Sequence, residues 1–410
     1  MLQSRVILVI IALMTNLFRG KSSSAGIRIG IDARLWFQTG VGRYIRNLVQ
    51  NLLILDKKNT YILFVRKQDC GIINDQLSMI NYQNNLEIGN WKLKIADIKW
   101  HTVSEQTRFA SILNKEKLDL VHFPYFSVPI FYNRPFVVTI HDLIVHHFPT
   151  GKASTLILPL YETKLLAYKL IIKKAAQKAK KIITVSSATK KEIIDHLKVD
   201  KNKVVVIYNG VDKGVSTKER NTGDKIPEIK YFLYVGNAYP HKNLERLLLA
   251  FSKFSLNNKN IKLVLVGKED YFYKRLKEKI KSLKLGDSVI FYKNAADEDL
   301  ANLYKNALAL VMPSLMEGFG LPVLEAMANG CPVLASDTPS LKETGEDAAL
   351  YFNPEDTEDI KNNLESIMNN SELRERLIKK GYEQVKKFSW EESARETLKV
   401  YESCASASSA

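Results

Sequence analysis

The chain has 410 residues, too many for one ordinary core, so we expect a pair of domains, and with 46% hydrophobic and 25% charged residues its composition is that of a globular protein. Its 60 basic and 44 acidic residues give a formal net charge of +16, which favours an anionic partner: a nucleic acid, an anionic membrane or a phosphorylated substrate. The three cysteines lie far apart and form no CxxC pair, so they indicate a reducing, cytoplasmic compartment and argue against a disulfide framework or a cysteine metal site.

Residues 1–25 differ in composition from the rest of the chain. Val6 to Phe18 is mostly apolar, but the polar residues Thr15 and Asn16 interrupt it. Because a membrane-spanning helix needs about 20 apolar residues, this stretch is short. It could be the core of a signal peptide, a shallow anchor, or a leader that extends the chain before the first strand.

From residue 26 onwards, short apolar runs rich in β-branched residues alternate with helical stretches. The strands predicted in the first half are 27–31, 61–65, 120–123, 136–140, 181–185 and 204–207. The main helices predicted there are 43–55 and 156–180. Apolar strands that are separated by helices are typical of parallel sheets covered on both faces.

The second half repeats this pattern after a polar segment, 213–230, which lacks apolar periodicity and is predicted to be a linker. The strands predicted after it are 231–235, 262–266, 288–291, 309–312 and 332–335. The predicted helices are 244–254, 271–283, 299–307, 322–328, 359–369, 372–387 and 390–401. We therefore expect an α/β protein with two doubly wound, Rossmann-like domains. Ligands bind beyond the carboxyl ends of such strands, so the site is expected in the cleft between the facing domains.

The most informative segment is 317–325 (EGFGLPVLE), which follows a predicted strand. Pro322 suits the first residue of a helix, and the preceding glycines let a ligand approach the backbone. The free N–H groups of a helix N-terminus favour an anion such as a diphosphate. Ionised carboxylates only accept hydrogen bonds, so Glu317 and Glu325 would bind the hydroxyl groups of a sugar. The segment therefore indicates a nucleotide-sugar site, although an ordinary Gly–Pro helix start is the alternative.

The same segment resembles the E-x7-E motif of the family-4 retaining glycosyltransferases, which have the GT-B fold of two facing Rossmann-like domains. Residues 236–243 (GNAYPHKN) resemble the phosphate-binding loop of that family. Further similar segments follow the family order, at 39–44, 141–143, 184–186, 209–212 and 389–391. The resemblance implies an acceptor-side domain at 26–212, a nucleotide-sugar-binding domain at 231–388, and a terminal helix and tail at 389–410 that return to the first domain.

The resemblance also implies roles for matching residues. Glu325 would bind the ribose hydroxyls, and Glu317 would hold the donor sugar near its reacting carbon. Lys242 would neutralise the departing diphosphate, where negative charge develops, although it could be a solvated lysine at a helix start. Other residues of the motif would line the donor: Gly318, Phe319, Gly320 and Leu321.

Further donor contacts are expected from both domains. His141, at the end of an apolar strand, would reach the donor sugar, although a lone histidine is often structural. Asp142 could simply cap the following turn. Where this family usually has an arginine after the loop glycine, this chain has Asn237. Lys242 would then need support from His241, from Arg43 or from backbone amides.

Two glycines, Gly40 and Gly42, precede the first predicted helix and would let its N-terminus face the diphosphate or the acceptor. Ser186 and Ser187 are expected to cap a helix, with a role in the site as the alternative.

Two patterns resemble metal sites, but we expect neither to bind a metal. Residues 297–299 (DED) match a metal-binding pattern of the other major glycosyltransferase fold, but they open a helix, where acidic residues are favoured. His141, His146 and His147 have a spacing that fits no familiar zinc pattern. The expectation is no metal and no cofactor besides the donor substrate.

The implied reaction moves a hexosyl unit from a nucleotide diphosphate sugar to an acceptor hydroxyl with retention of configuration. GDP-mannose is favoured as the donor because the GNAYPHKN loop resembles that of bacterial mannosyltransferases, while glucose and N-acetylglucosamine donors stay open. The favoured acceptor is a glycan or a lipid-linked glycan of surface polysaccharide assembly. The lysine-rich helix at 156–181 indicates peripheral contact with an anionic membrane at its inner face, or a solvated surface.

Two other functions stay open at this stage. One is a nucleotide-sugar-processing enzyme with the same fold, such as an epimerase or a sugar phosphate synthase. The other is a catalytically silent protein that binds a sugar nucleotide or a membrane. A nucleic-acid partner is not expected, because the sequence contains no recognised nucleic-acid-binding module.

Overall fold

The computed structural model describes residues 26–83, 90–149, 158–211, 229–293 and 295–406. The segment at 1–25 and most of the predicted linker at 213–230 lie outside these ranges, so the domain boundaries stay predictions. No helix within the described ranges combines the length and apolar character needed to cross a membrane.

The first sheet has seven parallel strands in the order β3-β2-β1-β4-β5-β6-β7. The strands are β1 Arg28–Asp32, β2 Thr60–Val65, β3 Trp91–Ile95, β4 Leu120–Phe123, β5 Phe136–Ile140, β6 Lys181–Thr184 and β7 Val204–Val206. The helices of this half are α1 Gly40–Leu55, α2 Cys70–Gln83, α3 Ala110–Lys115, α4 Ile144–His147, α5 Leu158–Lys178 and α6 Ser187–Leu197. A π-helical turn at Glu105–Phe109 leads into α3.

The second sheet has six parallel strands in the order β10-β9-β8-β11-β12-β13. The strands are β8 Tyr231–Val235, β9 Lys262–Val266, β10 Val289–Tyr292, β11 Ala309–Met312, β12 Val333–Ser336 and β13 Leu350–Phe352. The helices are α7 Leu244–Ser255, α8 Tyr271–Ser282, α9 Asp297–Asn306, α10 Leu321–Ala328, α11 Pro339–Gly345, α12 Thr357–Asn369, α13 Ser371–Gln384 and α14 Trp390–Ser406. Two parallel, Rossmann-like sheets confirm the predicted fold class.

Strand β5 shows why these sequences form central parallel strands. All five of its side chains are buried, and they alternate between the two faces of the sheet. Val138 and Ile140 join one apolar core, whereas Val137 joins the core on the opposite face. The polar member, Thr139, is satisfied by the ring of His122, whose Nε2 lies 2.7 Å from the threonine hydroxyl. Burying each large aliphatic side chain stabilises the fold by about 1.5–3 kcal/mol.

The last helix, α14, packs on α1 of the first half and contributes to the core of the first sheet. The Tyr401 hydroxyl lies 2.6 Å from Nδ1 of His122 beneath that sheet. Gly210 makes the crossing possible, because a Cβ at this position would lie 2.1 Å from the backbone nitrogen of Trp390. The C-terminal end of the chain thereby holds the two halves together.

Several predicted bounds need correction. Helix α1 begins at Gly40, so Gly40 and Gly42 lie in its first turn and do not precede it. Helix α10 begins at Leu321, so Pro322 is its second residue. Gly320 is the N-cap and has a φ of +96°, a conformation that favours glycine. Strands β3 and β13 were not predicted.

Candidate active site

The two halves meet where β5 and β11 end at their carboxyl edges. A Cβ at Gly318 would lie only 2.3 Å from the carbonyl oxygen of His141, so the missing side chain allows the halves to approach each other. The Ser186 hydroxyl donates a hydrogen bond to the Gly318 carbonyl at 2.7 Å across the same contact. Gly318 was expected to make room for a ligand, but the structure uses its space for a close contact between the two halves.

Glu317 and Lys242 form a largely buried ion pair beside this contact. The Lys242 Nζ donates to Oε1 of Glu317 at 2.6 Å, and the side chains are only 15% and 9% exposed. The hydroxyl of Ser314 donates to the same oxygen at 2.7 Å. Burial alone would raise the pKa of Glu317, but Lys242 and Ser314 outweigh burial and lower that pKa below its ordinary value. Glu317 is therefore ionised at neutral pH.

Lys242 is held in place by the loop that follows β8. A short 3-10 turn, Pro240–Lys242, ends at Asn243, which adopts the left-handed conformation with a φ of 58°. The Asn243 side-chain amide donates to the carbonyls of Pro313 and Pro354 at 3.0 and 2.8 Å. These two bonds fix the loop against the segment that carries Glu317, so the lysine and the glutamate share one rigid platform.

Glu325, on α10, is bound from both halves of the molecule. One carboxylate oxygen pairs with the guanidinium of Arg43, which lies on α1 of the first half. The other oxygen accepts a hydrogen bond from the Tyr304 hydroxyl at 3.0 Å. The carboxylate side chain is 14% exposed, so it needs these charged and polar partners.

His141 follows β5 and is neutral at physiological pH, because burial lowers the pKa of its ring to about 4. Its Nε2 lies 2.9 Å from the carbonyl oxygen of Pro124. A carbonyl can only accept, so Nε2 carries the proton and Nδ1 is left as a hydrogen-bond acceptor. The ring also packs edge-on against Tyr44, with 4.9 Å between ring centroids. This arrangement fixes both the orientation and the tautomer of the ring.

Asp142 has a closer relation to the site than its sequence position indicated. Its carboxylate accepts a hydrogen bond from the backbone of Ile144 at 3.0 Å and so caps the following turn, as expected. Burial raises its pKa, the charge of Glu317 raises it further, and that of Lys242 opposes both. A Cβ at Gly318 would lie 3.2 Å from the Cβ of Asp142, so Asp142 lies at the contact between the two halves.

The remaining residues of the GNAYPHKN loop differ in exposure. Asn237 is exposed, and its side chain accepts a long hydrogen bond of 3.3 Å from the backbone of Tyr239. His241 is buried, with 6% of its surface exposed, and burial together with the charge of Lys242 lowers its pKa to about 4. A neutral His241 adds hydrogen-bonding capacity near the lysine but no positive charge.

Three residues expected at the donor have side chains placed differently. Phe319 is buried against Tyr208 and Phe388, at ring-centroid distances of 6.0 and 5.6 Å. Leu321 packs partly into the apolar cores. At Gly42, a Cβ would lie 2.5 Å from the Trp36 carbonyl oxygen, so this glycine lets α1 lie against the turn that follows β1. Contact of Phe319 or Gly42 with a donor is therefore left to their backbone groups, whereas the partly exposed side chain of Leu321 can still contribute.

Gly40 and Gly320 behave differently from those three residues. A Cβ at Gly40 would have no atom within 4 Å, so the first turn of α1 borders open space. Gly320 ends the loop at the N-terminus of α10 in a conformation that other residues rarely adopt.

Sequence reasoning missed Ser314 and Tyr304, which bind the two glutamates, and also Glu343 on α11. Glu343 accepts hydrogen bonds from the backbone of Ser187 and Ala188 at 2.7 and 3.1 Å. These are the free N–H groups at the start of α6, so a carboxylate of the second half caps a helix of the first. Within α6 itself, Ser186 is the N-cap, as expected.

Comparisons with known proteins agree with this architecture. The model of the family described as "Glycosyltransferase Family 4" matches residues 38–214, and that described as "Glycosyl transferases group 1" matches residues 215–384. Together these two matches run almost continuously through both halves of the chain.

Curated relatives point the same way. The O-antigen chain mannosyltransferase RfbU of Salmonella typhimurium is 29% identical, over 67% of this chain and 72% of that protein. The O-antigen chain mannosyltransferase B of Escherichia coli is 27% identical, over 88% and 96%. A glycosyltransferase of Methanocaldococcus jannaschii is 32% identical, over 64% and 75%.

Solved structures show the same fold. The sucrose-phosphate synthase of Thermosynechococcus elongatus superposes with a TM-score of 0.72 at 21% identity, covering 93% of this chain and 100% of that chain. Anabaena HepE in complex with UDP-glucose gives a TM-score of 0.67 at 15% identity, covering 92% and 100%. With the two family matches and the facing parallel sheets, these comparisons show that the chain belongs to the family-4 glycosyltransferases and has their GT-B fold.

Proposed function

We propose that this glycosyltransferase is a retaining mannosyltransferase that uses a nucleotide diphosphate sugar, GDP-mannose, and acts on a glycan or lipid-linked acceptor in surface polysaccharide assembly. The observation that carries the proposal is the ion pair of Lys242 and Glu317, 2.6 Å apart, beside His141 where the two halves meet. The two relatives that are named O-antigen mannosyltransferases support mannose as the sugar and surface polysaccharide as the product.

Donor binding requires the charged side chains to exchange partners. At present each glutamate is neutralised by a cation: Glu317 by Lys242 and Glu325 by Arg43. An incoming diphosphate brings negative charge that attracts both cations. Sugar and ribose hydroxyl groups would then replace the cations as hydrogen-bond donors to the carboxylates. Because every buried charge keeps a partner throughout, the exchange avoids leaving any charge unpaired.

The reaction that we propose is a front-face substitution. The bond between the anomeric carbon and the leaving phosphate oxygen breaks while the acceptor oxygen bonds to the same carbon from the same face. The proton of the acceptor hydroxyl passes to the leaving phosphate oxygen. Lys242 stabilises the charge that develops on that phosphate, which is the step where a preorganised cation contributes most.

The neutral His141 fits this route. Its Nε2 proton is committed to the Pro124 carbonyl, so Nδ1 would accept a hydrogen bond from a donor-sugar hydroxyl. Since the leaving phosphate takes the acceptor proton, the histidine is not required as a base. No metal is needed in this scheme, because the protein supplies the cations itself.

The first half carries a surface suited to a lipid-linked acceptor. On α5, Leu166 and Leu170 are 60% and 52% exposed. Exposed lysines lie around them, at Lys164, Lys169, Lys173 and Lys174. Apolar residues flanked by lysines favour an anionic lipid surface, so we place this helix against the inner face of the membrane. Co-sedimentation should be stronger with anionic than with neutral vesicles, and a Leu166→Gln/Leu170→Gln variant should bind both kinds of vesicle more weakly. Binding by the variant that equals binding by the unchanged chain would contradict this placement.

The function is tested with a donor panel of GDP-mannose, UDP-glucose and UDP-N-acetylglucosamine, each incubated with a bacterial lipid extract, with and without chelator. We expect acceptor-dependent release of GDP, an α-linked mannosyl product by NMR, and activity that survives the chelator. Turnover without an acceptor would indicate a nucleotide-sugar-processing enzyme instead. An inverted product would contradict the proposed mechanism. So would activity that the chelator abolishes and that Mg²⁺ or Mn²⁺ restores but Zn²⁺ does not. Glu317→Gln should be inactive, whereas Glu365→Gln, on the remote helix α12, is the matched control.

A further inference from the structure

We propose that the first half also contains a binding site for a divalent transition metal ion, best suited to Zn²⁺, formed by His147, Glu192 and His196. One ligand atom from each of these three side chains lies within 4.8 Å of the others. The sequence did not indicate this group, because Glu192 and His196 are 45 and 49 positions from His147. The proposal is independent of the donor chemistry, for which we propose no metal.

The geometry is close to that of a metal site. Tetrahedral zinc holds nitrogen and oxygen ligands about 2.0–2.2 Å away, which places neighbouring ligand atoms roughly 3.4 Å apart. Nε2 of His196 lies 3.3 Å from Oε2 of Glu192. Nε2 of His147 lies 2.6 Å from the same oxygen, a hydrogen-bond distance that must lengthen by less than about 1 Å. Small side-chain rotations are therefore enough to admit an ion.

The three side chains are presented by ordered elements. Glu192 and His196 are four residues apart on α6 and therefore share one face of that helix. His147 comes from the short helix α4, whose start is fixed by the Asp142 carboxylate. The two histidine rings are 4.9 Å apart at their centroids and nearly perpendicular. Each side chain is 34–41% exposed, so an ion can enter and water can complete its coordination.

The ligand set favours zinc over the lighter divalent ions. Imidazole nitrogens suit zinc, copper and nickel, whereas magnesium and calcium require oxygen ligands. Two histidines with one carboxylate are a set that proteins use for zinc. The competing interpretation is a simple hydrogen-bonded group, in which each ring donates its own Nε2–H to Oε2 of Glu192. Metal titration distinguishes the two interpretations, because only a metal site binds an ion through all three side chains.

The position of the site indicates its role. Helix α4 follows His141 and Asp142. Helix α6 follows its N-cap Ser186, whose hydroxyl donates to the Gly318 carbonyl of the second half. A bound ion would join these two helices on the acceptor side of the cleft. It would thus act as a positioning clamp for the segment that carries His141, without contacting the donor.

The test uses the untagged, metal-stripped full chain. Zn²⁺ is titrated in competition with a chelating dye, and Co²⁺ absorption reports tetrahedral coordination. We expect one ion per chain and a rise in melting temperature on binding. Loss of any one ligand should weaken Zn²⁺ binding by at least about tenfold, because even changes to residues that contact metal ligands have an effect of this size. The single variants are His147→Gln, Glu192→Gln and His196→Gln. His101→Gln, at an exposed histidine outside the group, is the control.

The outcomes distinguish a metal-binding site from a simple ion pair. If the three variants bind Zn²⁺ as the unchanged chain does, or if binding falls equally in His101→Gln, the site does not exist. If any single variant fails to fold, the other two still decide the question. Donor turnover by the stripped chain is measured in parallel, so that loss of this site cannot be mistaken for failure of the proposed function.

Discussion

Replacing Lys242 by methionine removes the positive charge of the central ion pair and keeps most of the side-chain volume. Glu317 would remain in a site where it is 9% exposed, with the Ser314 hydroxyl at 2.7 Å as its remaining partner in this group. Removing one partner of a buried ion pair lowers the free energy of unfolding by about 3–5 kcal/mol. Because the hydrogen bond from Ser314 persists, we expect a loss at the lower end of that range, about 3 kcal/mol, at neutral pH.

The same substitution should abolish most of the catalysis. Loss of a preorganised group at a developing charge lowers kcat by about 10²–10³. The double variant Lys242→Met/Glu317→Gln removes both charges, so it should recover most of the stability while its kcat stays low. This difference separates the structural role of the pair from its catalytic role.

The pH dependence of the stability independently tests the direction in which the pKa of Glu317 is shifted. In the native protein the pKa of Glu317 is lowered, so its stabilising contribution is present above the ordinary value of 4.5 and is lost as pH falls through the folded pKa. Without Lys242, burial dominates and the pKa of Glu317 is expected to rise. The variant is then destabilised most at neutral pH. The difference in the free energy of unfolding between the two proteins should shrink as pH falls from about 7 towards 4.

The assay is calorimetric unfolding at several pH values, together with nucleotide release for kcat. Lys361→Met is the matched control, because it breaks a more exposed pair with Glu365 at 3.3 Å. The Lys361→Met substitution should lower the free energy of unfolding by no more than about 0.5 kcal/mol. Our reasoning is refuted if Lys242→Met is as stable as Lys361→Met, or if the double variant recovers no stability.

Three further predictions test the contact between the halves. Gly318→Ala would place a methyl group 2.3 Å from the His141 carbonyl, so it should lower the melting temperature and raise KM for the donor; unchanged values of both would contradict the close contact. Glu343→Gln loses the charged cap of α6, and should cost about 0.5–1 kcal/mol by calorimetry without a large change in kcat. Glu325→Gln should weaken binding of the nucleoside diphosphate by at least about tenfold in titration calorimetry, as removing a hydrogen bond to a charged group costs about 1.5–3 kcal/mol; equal affinity would exclude the ribose contact.

The central strands could be predicted because their burial leaves a continuous apolar run, as in β5 and β8. Strand β3 (WKLKI) escaped prediction because it lies at the edge of its sheet, where lysines alternate with apolar residues. Strand β13 (LYF) is only three residues long, too short for a periodic pattern. Strand β7 is equally short, but it was predicted because it consists of three valines, which favour strands. The prediction of a short or edge strand thus depends on its β-branched content.

The site could be predicted only in part, for a related reason. The motifs identified Glu317, Glu325 and Lys242, but their partners depend on the fold. Arg43 lies 282 positions from Glu325, and no local pattern connects them. The reason for Gly318 was also misjudged, because the carbonyl that occupies its space belongs to the other half of the chain.

The contacts that join the halves fall into two classes with different consequences for donor binding. The pair of Arg43 and Glu325 occupies groups that the proposed donor would need, so an incoming nucleotide competes directly with it. The contacts of Ser186 with Gly318 and of Glu343 with α6 are structural, and no donor is required to displace them. A donor that breaks the pair of Arg43 and Glu325 but leaves the contacts of Ser186 and Glu343 intact would weaken one edge of the contact between the halves. The halves would stay joined at the other edge. Charge exchange at Arg43 would therefore remove a contact between α1 and α10 and leave α1 packed on the C-terminal helix α14.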